Sequence, residues 1–317
     1  MYEALTNTLE GLEIGAPVSH DPLHLFPLEG GPSDEEDLTL LDEALEEGTL
    51  RVEELGEGGS VPKLRVFNAG ASPVLLLEGD ELVGAKQNRT MNSSVLVGTG
   101  SELIIPVSCV ERGRWSRRPR AFSRSAGSPH PSLRRIKARS VHDSLRHHRG
   151  HTSDQRAVWE EVDRVAALHD APSPTSALQD TRERLSARLT AYEALADKLP
   201  ARTRGVAVTI GARPMLVEVL AGPRSFSRVR RKLLSGYALE ALGHGRDDAP
   251  PDRLAVITFI RTMAAAPREE HPAVGEGTDV RFASEDLSGY ALMGDGSILH
   301  AAAFADQDAF RNYALVS

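Results

Sequence analysis

Between Glu78 and Asn92 the chain reads EGDELVGAKQNRTMN, its densest run of groups able to grip a polar ligand. Lys86, Gln87, Asn88 and Arg89 stand in a row. Two are cations that donate to phosphate or carboxylate, and two are amides that can read a base or a ribose. Asn92 adds another amide. On an extended backbone, alternation sends Gln87 and Arg89 to one face and Lys86 and Asn88 to the other, so half of the run would face a pocket. The same residues also suit an exposed polar turn. Glu78, Glu81 and, further along, Glu111 are the candidate general acids or bases if the ligand is a substrate.

Cys109 is followed by Glu111, Arg112, Arg114 and Trp115. A thiol among arginines can ionise and attack, whereas a lone Cys in an apolar run such as PVSCV is more often a small buried hydrophobe. A single cysteine excludes an intramolecular disulfide framework and Cys-rich zinc or iron–sulfur sites. The phosphate-cradling P-loop, the Gly-x-Ser-x-Gly elbow, the zinc helix HExxH and the dinucleotide fingerprint are all missing. GEGGS at 56–60 has no apolar strand leading into it. His147, His148 and His151 have arginine flanks, which make a metal electrostatically unfavourable, so no metal site is expected. His300, in SILHAAAF, fits a core or rim histidine. Trp115 and Trp159 could each stack a base or anchor the intervening segment.

Charge is strongly segregated. Residues 1–60 hold sixteen Asp/Glu and one Lys/Arg, Arg51, while residues 112–150 hold twelve Arg/Lys and one acid, Asp143. So basic a stretch suits a polyanion: nucleic acid, a nucleotide pyrophosphate, or the chain's own acidic N-terminal segment. In the nucleic-acid reading the contacts fall to Arg117, Arg118, Arg120, Arg134, Arg135, Lys137 and Arg139. In a third reading the chain is an interaction scaffold whose acidic segment covers the basic one until a partner displaces it.

EGDELVGAKQNR, IPVSCVERGRW, HTSDQRAVWEEV and SPTSAL together resemble a bacterial and viral domain family described as associated with ADP-ribosylglycohydrolases and rhodanese-phosphatases. The similarity runs from about residue 20 to about residue 305. The resemblance implies a link to NAD or ADP-ribose metabolism. It supplies no catalytic assignment, so whether the chain is an enzyme stays open. Its pattern falls on Glu78, Lys86, Gln87, Asn88, Arg89, Cys109, Glu111, Arg114, Trp115, Asp154, Gln155 and Trp159. The ligand-binding set is therefore Lys86, Gln87, Asn88, Arg89, Asn92, Arg112, Arg114, Trp115, Asp154 and Gln155. The expected partner is a phosphorylated small molecule, NAD or ADP-ribose, with no obligate cofactor, or else nucleic acid. No run approaches the ~18–20 apolar residues of a membrane span, and MYEALTNTLEGLE lacks a signal-peptide pattern, so a cytoplasmic protein is expected. The oligomeric state is left open.

The elements that must position these groups follow from periodicity. KLRVFNA, VLLLEGDEL, NSSVLV and LIIPVSCV are short apolar runs parted by turn chemistry, which predicts an antiparallel meander or sandwich over 56–111. Pro106 places its strand at an edge or a bulge. Residues 112–150 lack periodicity and predict a long basic loop with at most a short helix near LRRIKARSVHDSL. A helix follows Thr152, whose spacing to Gln155 is that of a capping box, and a second opens at Ser173–Pro174. GVAVTIGARPMLVEVLAG predicts a hairpin, then a helix ending near Gly243. LAVITFIRTMAAA predicts a helix, and GYALMGDGSILHAAAFA a hairpin turning at Asp295–Gly296. A shift of 84 places Gly205 on Gly289, Ala207 on Ala291, Ala221 on Ala305 and Phe226 on Phe310. That echo is either coincidence among small residues or two like hairpins side by side in one sheet. The expected fold is α+β: an acidic segment (1–55), the β region, the basic loop, and 151–317 packed with 56–111 as one domain.

Overall fold

A computed structural model describes residues 2–31, 38–56, 60–114, 121–245 and 249–306. Trp115, Arg117, Arg118, Arg120 and Phe310 lie outside the described residues. The chain opens with α1 (Tyr2–Glu10), β1 (Glu13–Ile14), β2 (Val18–His20), β3 (Leu23–Glu29), β4 (Thr39–Leu40) and α2 (Leu41–Glu46). Then come β5 (Leu50–Glu54), β6 (Lys63–Asn68), β7 (Val74–Leu76), β8 (Glu81–Gly84), β9 (Arg89–Met91), β10 (Val95–Val97), β11 (Glu102–Cys109) and β12 (Phe122–Arg124). Three helices follow: α3 (Pro131–Arg146), α4 (Gln155–Leu168) and α5 (Leu178–Glu193). The rest is β13 (Gly205–Ile210), β14 (Arg213–Leu220), α6 (Pro223–Gly243), α7 (Arg253–Ala265), β15 (Arg268–Pro272), β16 (Thr278–Ala283), β17 (Leu287–Gly294) and β18 (Ser297–Ala305). The class is α+β, as expected.

Contacts divide the chain into two compact units whose bounds differ from the expected segments. Unit 1 takes Met1–Glu35, Arg188–His271 and Thr278–Ser317, and unit 2 takes Glu36–Ala187 and Pro272–Gly277.

Unit 1 is built on a nine-stranded antiparallel sheet in the order β1-β3-β13-β14-β18-β17-β16-β15, with β2 paired to β3. Phe26, Ala207, Val217, Val219, Ala291, Ala301 and Ala303 point to one face and bury against Leu5 and Leu9 of α1 and Val256, Phe259 and Met263 of α7. Strand alternation sends Glu218 to the other face, where Tyr237 of α6 donates to it and His300 pairs with it at 2.8 Å. Thus His300 is a core histidine with a carboxylate partner.

The echo of 84 residues is a structural repeat. In the first hairpin Gly205 faces Val219, Ala207 faces Val217, and the register slips after Val208 so that Thr209 faces Pro214. In the second, Gly289 faces Ala303, Ala291 faces Ala301, and the register slips after Leu292 so that Met293 faces Ile298. Every pair, the irregularity included, is reproduced at the same shift. β14 and β18 lie side by side with Glu218 opposite Ala302, which are themselves equivalent positions, so a pseudo-twofold axis passes between them.

Unit 2 holds a six-stranded sheet, β12-β8-β9-β11-β6-β5, and a three-stranded one, β10-β7-β4. Leu50, Val52, Leu64, Val66, Leu82, Met91, Ile105 and Val107 form its apolar core with Leu41 and Ala44 of α2. Pro106 is not at an edge. β11 lies inside the sheet, and Pro106 ends its pairing with β6 just before Val107 begins the pairing with β9. The basic stretch is not mainly loop. α3 runs sixteen residues from Pro131, because Leu133, Ala138, Val141 and Leu145 supply a buried stripe among the charges. Asp154, not Thr152, caps α4, accepting from the backbone N–H of Arg156 and Ala157. α5 begins at Leu178, later than Ser173–Pro174. There Ser173 Oγ instead accepts from Thr175 N and Ala177 N in the approach to the helix.

Candidate functional site

The run from Glu78 to Ser94 is almost wholly buried, an unusual fate for residues of this polarity. β7 ends before it, so 78–80 is a turn between β7 and β8, and 85–88 is a bend between β8 and β9. Glu78 sits at the centre of a buried ion cluster, 2.9 Å from Arg134 Nε and 2.8 Å from Lys137 Nζ. Lys137 also donates to Thr90 Oγ1 at 3.0 Å and to the Met91 carbonyl at 2.5 Å. Burial by itself would raise the Glu78 carboxyl, but Lys137 and Arg134 overcome it and hold the group below its ordinary range. Gly79 makes room for this cluster. Its φ is +87°, and a Cβ there would lie 2.9 Å from Arg134 Nε. Glu81 is paired with Arg182, which also donates to Ser125 Oγ at 3.1 Å.

The bend at 85–88 and the stretch from Glu111 to Arg114 lie against each other. Gln87 Nε2 donates to the Arg112 carbonyl at 3.3 Å, and Asn88 N donates to Glu111 Oε2 at 3.0 Å. Arg114 lies against the bend, donating to the Ala85 carbonyl at 2.7 Å, to Glu111 Oε1 at 2.7 Å and to Glu111 Oε2 at 2.6 Å. Glu111 also accepts from Thr175 Oγ1 at 3.0 Å. Burial pushes its carboxyl up, and the bonds from Arg114 and Asn88 more than reverse that. Arg114 and Asn88 are therefore spent on holding the bend closed. Glu78 and Glu111 are thus held ionised by their cationic partners, and Glu81 is paired with Arg182.

The other expected residues are distributed as follows. Asn92 Nδ2 donates to the His151 carbonyl at 3.2 Å and its Oδ1 accepts from Ser108 at 2.7 Å. The Asp154 carboxylate is occupied by its own helix. The Gln155 amide pairs with the Cys109 peptide, accepting its N–H and donating to its carbonyl, both at 2.8 Å. Lys86 is buried, and Arg112 is exposed and paired with Asp163 at 2.9 Å. Arg134 and Lys137, assigned to phosphates in the nucleic-acid reading, are fully buried in the Glu78 cluster and cannot reach a nucleic acid backbone. Arg135 is half-buried and Arg139 exposed on α3. Part of the basic stretch is met by the acidic segment: Arg124 pairs with Glu46 at 2.5 Å.

One cation stands apart. Arg89 has no exposed surface. Its Nη1 donates to Gln87 Oε1 at 3.3 Å, but Nε and Nη2 make no hydrogen bond among the described residues. Cys109 is its cross-strand neighbour. Burial raises the thiol, with the Arg89 guanidinium and the Trp159 indole acting in the opposite sense. Cys109 is thus a protonated, buried thiol at rest. The carboxylate nearest Arg89 is Glu54, at 3.6 Å, a residue the sequence reading passed over. Its signal was legible. Leu50, Val52 and Glu54 share the buried phase of β5, and a charge on that phase calls for a partner. Arg182, the partner of Glu81, gave no comparable signal.

Against known families, the profile of the ARG and Rhodanese-Phosphatase-superfamily-associated Protein domain (ARPP-1) matches residues 11–304, nearly the whole chain. The chain belongs to this family. The match spans both units, so the ARPP-1 domain comprises the repeated sheet and unit 2 together. No curated protein and no solved structure matches the chain. Among the described residues, no helix is long and apolar enough to cross a membrane.

Proposed function

We propose that this ARPP-1 domain binds a phosphorylated nucleotide of the NAD or ADP-ribose class in unit 2, with Arg89 as the anchor. The observation that carries this is the buried guanidinium whose Nε and Nη2 edge makes no hydrogen bond. A buried charge that cannot be shed, with two open donors, matches an oxyanion in charge and shape. The family name adds an association with ADP-ribosylglycohydrolases, which favours a ligand from that chemistry. Gln87 supports Arg89 from the side, and Lys86 brings a second cation to the same bend. No turnover is assigned to the site.

Titration calorimetry with NAD, ADP-ribose and AMP at millimolar concentration tests the reading. Heat with at least one of them, abolished by Arg89→Met and partly kept by Arg89→Lys, is the expected result. Silence with all three overturns it.

A further inference from the structure

Arg89 and Glu54 form an ion pair that does not close. A guanidinium and a carboxylate in a dry site ordinarily meet through two parallel bonds of ~2.7–2.9 Å. Here the nearest approach is 3.6 Å, beyond hydrogen-bond reach. The gap is open on both sides: Arg89 Nε and Nη2 lack hydrogen bonds, and so do both carboxylate oxygens of Glu54. Buried groups of this kind are seldom left so, since each carries the full cost of its lost hydration. The opposite edge of Arg89 is tied to Gln87, so the open edge has a fixed direction. The other charged groups near Arg89 are Arg114 and Glu111, and those two are bonded to each other. Glu54 is the last residue of β5, and Gly56 just after it adopts a φ of +67°, where the chain turns away.

Building on the nucleotide reading above, we propose that Glu54 is a place-holder for a phosphoryl group: the ligand's oxyanion takes the Nε/Nη2 edge of Arg89 and turns the Glu54 carboxylate out. In this structure Arg89 is balanced by a weak internal anion that no hydrogen bond retains. A phosphoryl group, with three oxygens, can fill the fork that one distant carboxylate leaves open. Glu54 sets the threshold of binding, because the incoming anion meets a like charge until that side chain moves.

The experiment compares wild type, Glu54→Gln, Glu54→Ala and Arg89→Met by calorimetry, with inorganic pyrophosphate and ADP-ribose as separate probes. Circular dichroism checks that each variant is folded. The expected result is that both Glu54 variants bind pyrophosphate about tenfold tighter than wild type, the size of one relieved like-charge contact in a partly screened site. Arg89→Met should bind neither probe. Equal pyrophosphate affinity in wild type and both Glu54 variants, or no pyrophosphate binding by any of them, overturns the place-holder. If ADP-ribose then still binds wild type and is lost in Arg89→Met, the nucleotide reading stands without it. If NAD, ADP-ribose and AMP also bind none of the proteins, both fall.

Discussion

The side chain of Gln155 holds the peptide of Cys109 as a neighbouring strand would, accepting its N–H and donating to its carbonyl, each at 2.8 Å. β11 ends at Cys109, and the first residue of α4 thereby takes the place of a ladder partner. Gln155→Leu should leave both peptide groups unmet and cost about 1–3 kcal/mol, read as a lower urea midpoint with unchanged slope. Gln155→Glu keeps the acceptor and loses the donor, so it should fall between the two.

The Glu78 cluster gives a sharper test. Lys137→Met removes one of two cations from a carboxylate with no exposed surface, and breaking such a pair should cost about 3–5 kcal/mol. Gly79→Ala acts on the same cluster from the backbone. Its positive φ and the approach of Arg134 Nε should together make it destabilising by more than about 1 kcal/mol. Thermal unfolding of the two variants checks both.

Acid should weaken the protein through Glu161. This carboxyl accepts from Arg164 at 2.7 Å through both oxygens and pairs with His130 at 2.8 Å. Burial opposes its ionisation, but those partners win and lower it from 4.5 to about 2. A carboxyl depressed on folding adds stability above its unfolded value, and that stability is lost as pH falls through the folded one. The loss should therefore run from about pH 4.5 down to about pH 2, with an upper limit of about 3 kcal/mol. Chemical unfolding at pH 7, 4.5 and 3 should show this slope reduced in Glu161→Gln.

The repeat predicts matched effects at matched sites. A Cβ on Gly205 would strike the carbonyl oxygen of Glu218, and one on Gly289 the carbonyl oxygen of Ala302. Gly205→Ala and Gly289→Ala should each destabilise by about 1–3 kcal/mol or more. A calorimetric scan showing either to be neutral would contradict the packing described for that hairpin.

Periodicity carried much of this fold. The two hairpins, α7 and the antiparallel class were legible because alternation, turn residues and a helix-opening Pro pointed the same way. α3 was not, because its buried stripe includes Arg134 and Lys137, which a hydropathy pattern counts as surface. Only knowledge of Glu78 across the unit turns those residues inward. The division into units was also hidden, since residues 30–204 separate two strands that pair with each other, and sequence distance says nothing of that. Within the candidate site, Gln87, Asn88, Glu111 and Arg112 were each legible as polar candidates, and the structure pairs Gln87 with Arg112 and Asn88 with Glu111. The site's self-saturation by Arg114 was not legible, because the number of bonds a guanidinium makes depends on carbonyls that carry no residue-specific signal.

Leu28 of β3 lies opposite Gly205 of β13, yet the chain makes a long excursion between them. The sister strands β16 and β17 are joined by Ser284 to Asp286 alone. The sheet is thus interrupted in sequence but not in pairing: the chain leaves and re-enters it one strand-spacing apart, ~4.8 Å, with most of unit 2 carried between the two points.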